Sequence, residues 1–392
     1  MGWAGPLCGR HLADNGAEVI KVESCRHFDW WRGWEATQAF IDDNGAEKAP
    51  AFNTMNRNKL AITLDLEHPD GKALLKQLVA KADVVLENYS GGVLPKLGLD
   101  FAALQGVKPD LIMMSMPAFG ANGTWKSYRA YGSTVEQASG LPHLNGEADW
   151  PPTMQHVAYG DPVAGLNAAA ALLIALRHKK RTGAGQFLDL SQAECLLPLA
   201  VHGILEQSVT KRAPPRLGNR SRAAVPRGVF PCRGEDEWIT IDVQTEAQWA
   251  GLQSLVPGLA RFTGPRQRHD NVGAIEQLLS QWCQSHSPPG AMAALQAVGV
   301  PAAVLTASTR LTADPHLTAR QFWSLIERAH VGIIPHPATP YRSGSAPYGI
   351  ERPSPTLGEH NHRVLRDVLG LSTEEINALE TQGVIGTQPT LA

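Results

Sequence analysis

Apolar runs of strand length alternate with helix-spaced apolar positions through the first half of the chain. The runs are AEVIKVE (residues 17–23), LAITLDL (60–66), ADVVLENY (82–89), LIMMSMPAFG (111–120) and QFLDLS (186–191). Between them the apolar positions recur every three or four residues, as in PDGKALLKQLVAKA (69–82), which is the repeat of an amphipathic helix. Strand, helix and strand in succession predict a mostly parallel sheet with helices on its faces. Ligands bind at the carboxyl ends of such strands. A helix over about residues 6–14 comes ahead of the first run, so the strand that ordinarily opens a doubly wound unit is not seen before it.

The texture changes after residue 200. KRAPPRLGNRSRAAVPRG (211–228) is basic and rich in proline and glycine, as a linker is. WITIDV (238–243), helical spacing around Trp249 and over 275–283, and VPAAVLTA (300–307) then describe a smaller α+β domain. The proline-rich stretch 333–360 reads as an irregular surface crossing, and 362–385 as two short helices with STEE (372–375) as a capping box. The expected organisation is a large α/β domain over 1–205, a linker over 206–228, a small α+β domain over 229–325, a second linker over 326–360, and C-terminal helices over 361–392 that return to the large domain.

Composition narrows the class. The 392 residues are 43% hydrophobic and 18% charged, enough for two or three domains with at least one large core. A net charge of -2 supplies no basic surface for nucleic acid or an anionic membrane. Cys8, Cys25, Cys195, Cys232 and Cys283 are odd in number and form no CxxC, which predicts reduced thiols in a cytoplasmic compartment. No signal peptide is read at the start, MGWAGPLCGRHLADNG. The longest apolar run, 163–176, contains Asn167 and is too short for a bilayer; it predicts a buried helix.

One carboxylate stands at the mouth of that helix, in AYGDPVAGLNAAAALLIALRHKKRTGAGQ (158–186). Asp161 followed by proline and an apolar run fits an N-cap with Pro162 at N1. The basic end 177–181 complements the helix dipole, and Gly183 ends the helix. The cap position also favours an ionised carboxylate. At the ordinary aspartate pKa of about 3.9 it is ionised about a thousandfold over neutral at pH 7, and a carboxylate attacks an activated acyl carbon without a general base. Cap and nucleophile are therefore compatible roles.

Other chemistries find less support. GEHNH (358–362) is the one tight histidine cluster and reads as a solvated loop, so no metal site is expected. There is no GxSxG elbow, no GxGxxG after a strand and no P-loop. Glu23 at a strand end imitates a ribose-binding acid, but stands alone. CRHFDWWRGW (25–34) holds Trp30, Trp31 and Trp34, either as a packing patch or as an aromatic wall for a ligand. Lys59, Lys96 and Arg129 read individually as solvated side chains.

Taken together, AGPLCGRHLADNGAEVIKVE, NRNKLAITLDL, ADVVLENYSGGVLPKLGLD, PDLIMMSMPAFGANG, YGSTVEQASGL, the Asp161 segment, VPRGVFPCRGEDEWITIDVQTEAQW, ADPHLTARQFW and PTLGEHNHRVL resemble, in order and over nearly the whole chain, the family III CoA-transferases. The resemblance implies a Rossmann-like parallel-sheet domain with a smaller α+β domain, in an interlocked homodimer. It gives Asp161 the role of nucleophile toward an acyl-CoA thioester. It sets Asn88, Tyr89 and Ser90 against CoA, and Lys96 at its phosphates in place of an arginine. It also puts Arg129 near the catalytic pocket in place of a lysine, and Leu64 at the adenine end. Coenzyme A enters as the thioester substrate with an organic acid as its partner, and no tightly bound cofactor, ATP or metal is implied.

Some positions depart from the family pattern. Trp3 replaces a glutamine, and Ser24 replaces an arginine for which Arg26 or Arg32 could substitute. The stretch 219–228 lacks a glycine-rich flap, which counts against a formyl/oxalate enzyme. The α-methylacyl-CoA racemases of the same family use a histidine where this chain has Tyr131. A tyrosine with a pKa of about 10 is a poor α-proton base, so transfer is favoured. A racemase, or a CoA-binding protein without turnover, stays open as an alternative.

Overall fold

The structure, a computed structural model, describes residues 2–155, 158–344 and 348–391. The chain divides into two compact units. One comprises Met1–Leu141, Met154–Ile204 and Thr318–Ala392; the other comprises Pro142–Thr153 and Leu205–Leu317.

In the first unit, β1 (Ile20–Glu23) pairs in parallel with β2 (Leu60–Thr63). β3 (Val84–Glu87), β4 (Ile112–Ser115) and β5 (Gln186–Asp189) form a parallel sheet with β4 in the middle. All five lie inside the apolar runs read from the sequence. β2 and β4 are buried along their whole length, as expected of strands covered on both faces. Among the described residues the ladders make two parallel sheets rather than one continuous Rossmann-like sheet. Apolar packing continues between them through Leu66 and Leu75, which touch the clusters beneath both.

The helix Pro69–Lys81 begins with Pro69 and a His68 ring nitrogen that accepts the Asp70 amide, and it buries Leu74, Leu78 and Val79. The predicted helix at the start runs Ala4–Asp14. The apolar run after Asp161 lies within the helix Gly160–Thr182, which buries Ala164, Ala168, Ala169, Leu172 and Ala175. It is not buried all round, because Leu166, Leu173 and Ile174 are exposed. Gly183, at φ 75°, ends it in the left-handed conformation that favours glycine.

The second unit is an antiparallel sheet of β6 (Arg227–Pro231), β7 (Trp238–Asp242) and β8 (Ala302–Val304). The helices Glu246–Leu255, Val272–Gln284 and Pro288–Ala297 share its core, built on Ile239, Ile241, Trp249, Leu252, Ile275 and Leu279. The basic stretch read as a linker is pinned within this unit. Gly218 donates its amide to the Gly146 carbonyl at 2.9 Å, Arg216 donates to the Glu147 and Trp150 carbonyls, and Arg220 pairs with Glu276 at 2.6 Å. The 142–153 segment joins it for the same reason, although its sequence reads as part of the large domain.

The proline-rich stretch also differs from the sequence reading. β9 (Trp323–Arg328) and β10 (Gly332–Pro337) pair as an antiparallel hairpin in the first unit. In a two-stranded ribbon both strands are edges, so Pro335 and Pro337 are tolerated. GEHNH is not a solvated loop. His360 donates its amide to the Ala61 carbonyl and accepts the Ala61 amide on Nδ1 at 3.2 Å, and Asn361 accepts the Thr63 amide at 2.8 Å. These contacts stitch it to β2 ahead of the helices Asn361–Asp367 and Thr373–Thr381, the second closed by the expected Ser372–Glu375 capping box. Their Val364, Leu365 and Ile376 complete the core over Leu60, Ile62 and Leu64.

Candidate active site

Asp161 does not cap its own helix. Tyr159 holds the cap position of Gly160–Thr182, and Asp161 lies in the first turn. Its Oδ1 instead accepts the Ala4 amide at 3.3 Å, and the Gly132 amide also donates to the carboxylate. Ala4 is the first residue of the helix Ala4–Asp14 and Gly132 the first of the helix Gly132–Ala138. First-turn amides have no partner within their own helix, and the start of a helix carries partial positive charge. The carboxylate thus stands where three helix starts converge. A side chain at position 132 would close this arrangement, since a Cβ there would lie 1.9 Å from Asp161 Oδ2.

Burial pushes the Asp161 carboxyl up to about 6, against the lowering pull of the Ala4 and Gly132 amides. This corrects the expectation of an ordinary aspartate. Desolvation outweighs the favourable dipoles, yet the group is still ionised about tenfold over neutral at pH 7. The result is a poorly solvated, unusually basic carboxylate.

The predicted CoA residues fall in different places. Asn88 follows β3 and packs on the same helix start that serves Asp161; a Cβ on Gly5 would come within 2.7 Å of the Asn88 amide oxygen. Tyr89 is half-buried, and its backbone amide donates to Glu87 Oε2 at 2.8 Å. Burial raises both the Tyr89 phenol, to about 12, and the Glu87 carboxyl, which also accepts the Ser115 hydroxyl. Glu87 therefore braces the turn that presents Asn88, Tyr89 and Ser90. Lys96 and Arg129 are exposed, and no described contact joins either to Asp161. Leu64 is fully buried in the core beneath β2, where its side chain supports the strand end.

Two cations read as solvated or available are neither. Lys59 is buried and donates to the Pro6 carbonyl at 2.7 Å, the Met55 carbonyl at 3.0 Å and Asn56 Oδ1 at 2.8 Å. Arg32 is buried between Glu23, at 3.0 Å, and Glu47, at 2.8 Å, and Arg328 shares Glu47. Burial alone would raise Glu23; Arg32 and Lys21 hold it below its usual range. Arg32 is thus committed and cannot stand in for the arginine absent at Ser24, and Glu23 is part of this ionic core rather than a ribose ligand. Arg26 is exposed, 3.7 Å from Glu67.

Sequence reasoning missed the two amides on Asp161. The signals were the short residues Ala4 and Gly132, each directly after an aromatic one, but nothing along the chain shows that positions 4, 132 and 161 meet.

A family model described as CoA-transferase family III matches residues 1–361. The chain belongs to this family. Relatives of the CoA-transferase family include the succinyl-CoA–D-citramalate CoA-transferase of Chloroflexus aurantiacus, 31% identical over 97% of this chain and 94% of the relative. The succinate–glutarate CoA-transferase of Agrobacterium fabrum is 31% identical over 93% of this chain and 92% of the relative. Among solved structures, a CAIB/BAIF family protein from Brucella suis aligns at a TM-score of 0.84, with 31% identity over 93% of this chain and 96% of that one. The chain is accordingly a CoA-transferase with a mixed α/β fold. No helix among the described residues is long and apolar enough to cross a membrane.

Proposed function

We propose that this protein moves CoA from a donor acyl-CoA to an acceptor carboxylic acid, with Asp161 as the covalent relay. The observation that carries the reading is the Asp161 carboxylate, desolvated and held by the Ala4 and Gly132 amides. An Asp161 oxygen attacks the donor thioester carbon; the C–S bond breaks, CoA thiolate leaves, and an aspartyl–acyl anhydride forms. The thiolate attacks the aspartyl carbonyl carbon, releasing the donor acid and leaving an aspartyl-CoA thioester. The acceptor carboxylate attacks that thioester to give a second anhydride and thiolate. Attack of the thiolate on the acceptor's acyl carbon then forms the new acyl-CoA and returns the Asp161 carboxylate. No proton is gained or lost overall, and the thioester energy is retained in covalent form.

The two amides stay aimed at whichever oxygen the aspartyl carbonyl keeps, where charge develops in the two steps that attack the aspartyl carbon.

Asn88, Tyr89 and Ser90 are assigned to the CoA beside Asp161, Lys96 to its phosphates, and Arg129 to the cofactor near the catalytic pocket. Lys96 acts as a point charge without the bidentate fork of an arginine. Leu64 acts only through the strand end it supports. The reading includes an interlocked homodimer, supported by the exposed apolar side chains Leu166, Leu173, Ile174, Leu197, Leu199 and Val201. The free thiols of all five cysteines support a reducing, cytoplasmic setting. The donor assignment to succinyl-CoA rests on the relatives. The test is isotopic: carbon-labelled acid should enter the thioester pool from unlabelled succinyl-CoA without ATP. Label at the α-carbon exchanging with solvent while no acid exchanges would favour racemisation instead.

A further inference from the structure

Aromatic side chains run in an arc from one amide that holds Asp161 to the other. Trp3 directly precedes Ala4, and Tyr131 directly precedes Gly132. Consecutive Cα atoms lie about 3.8 Å apart, so each of these aromatic residues adjoins an amide on the carboxylate. Trp3 meets Trp31 at 5.5 Å between ring centroids, Trp31 meets Trp30 at 5.6 Å, and Trp30 meets Tyr131 at 5.9 Å. Trp34 stacks on Trp30 at 4.9 Å and 26°.

Packing alone does not account for the outer end of the arc. Trp34 is 74% exposed and Tyr131 63% exposed, so large ring faces are left open at the outer end of the arc. The charge pattern is equally specific. No lysine or arginine side chain is among the groups that shift Asp161. Arg32, which is in the same segment as the tryptophans, is locked to Glu23 and Glu47, and Lys21 is locked to Asp29 at 2.7 Å. Among the described residues, the segments that build the arc thus offer ring faces, with their buried cations already paired.

Resting on the transfer reading above, we infer that the arc is the subsite of the acceptor acid and that this acceptor bears an aromatic ring. Its ring extends the Trp30–Trp34 stack on the open face of Trp34 while its carboxylate reaches the aspartyl carbonyl. Aromatic pairs favour offset-stacked or edge-on contact, and the arc presents both. An ammonium cage would need several ring faces turned on one point. Here Trp30 has one face against Trp34 and meets Trp31 and Tyr131 at 80° and 67°.

The experiment is a rate comparison on the full chain with succinyl-CoA as donor. The acceptors are phenylacetate, 3-phenylpropionate, cinnamate, glutarate and glycine betaine. The inference expects the best aromatic acid to exceed glutarate and betaine in kcat/KM by at least about tenfold. Trp34→Ala, at an exposed position, should raise the KM for that acid about three- to tenfold, the worth of one aromatic pair. Trp34→Phe should recover most of the loss in acid KM. Glutarate or betaine as the preferred acceptor overturns the inference and leaves CoA transfer standing, as does an unchanged acid KM in Trp34→Ala. Transfer to none of the acids, with no acyl adduct on Asp161, overturns the transfer reading and the inference with it.

Discussion

Gly132→Ala tests the geometry of the site at its tightest point. The added Cβ would lie 1.9 Å from Asp161 Oδ2 and 2.9 Å from the Ala158 carbonyl, where real Cβ atoms essentially never come closer than 3.0 Å. The carboxylate oxygen must retreat by about 1 Å, and it leaves the Gly132 amide as it does so. A displacement of about 1 Å at a reacting group can lower a rate about 100-fold. A hydrogen bond to a charged group is independently worth about 1.5–3 kcal/mol, or about 10- to 150-fold. The expected loss in the acylation rate is therefore about 100-fold. It is measured as single-turnover CoA release from succinyl-CoA, with the KM for the donor little changed. Overpacking should also lower stability by about 1–3 kcal/mol. Because the clash is chiefly with Asp161, the Asp161→Ala background should relieve part of that loss, giving a coupling within the usual range of about 0.5–3 kcal/mol. An acylation rate within threefold of the parent would refute the reasoning. So would a stability loss of the same size with and without the Asp161 carboxylate.

Other outcomes follow from the same structure. With the Asp161 carboxyl raised to about 6, kcat/KM for the donor should climb about tenfold per pH unit below that value and level off above it; a flat profile between pH 5 and 7 would contradict the raised carboxyl. Its folded pKa lies above the ordinary value, so the fold binds the proton more tightly and ionisation opposes folding as pH rises from about 4 to about 6. Asp161→Asn should therefore gain about 2 kcal/mol above pH 6 relative to its standing at pH 4, read by urea unfolding at both pH values; a gain that grows as pH falls has the wrong sign. Arg32→Ala leaves Glu23 and Glu47 buried without their shared cation, and should lose about 3–5 kcal/mol in urea unfolding; a loss below 1 kcal/mol would mean that the ionic core is not a structural one.

The legible part of the fold is the part written in short-range pattern. The five strands of the first unit and the long helix follow apolar spacing that local physics reads directly. The Ser372–Glu375 capping box is equally local. The hairpin β9–β10 was hidden by Pro335 and Pro337, residues that speak against a strand except at an edge. His360 and Asn361 looked solvated because their partners on β2, Ala61 and Thr63, are some 300 residues away. Arg32 was hidden similarly, since neither Glu47 nor Arg328 is a neighbour along the chain.

At the site, the identity of Asp161 was legible and its environment was not. Its cap-like sequence context predicted an ordinary ionised aspartate. The structure keeps the residue in the first turn of its own helix but turns its carboxylate onto the amides at two other helix starts, and the raised pKa follows from its burial there. The aromatic segment 25–34 was visible as a cluster, but only the fold brings it to Trp3 and Tyr131.

Trapping the relay tests the central claim most directly. The protein is incubated with succinyl-CoA, quenched with hydroxylamine, digested and read by peptide mass spectrometry. The account predicts an aspartyl hydroxamate on Asp161 that needs acyl-CoA to form and is absent from Asp161→Asn. Unmodified Asp161 in a preparation that is transferring CoA, or an adduct on a different residue, would contradict it.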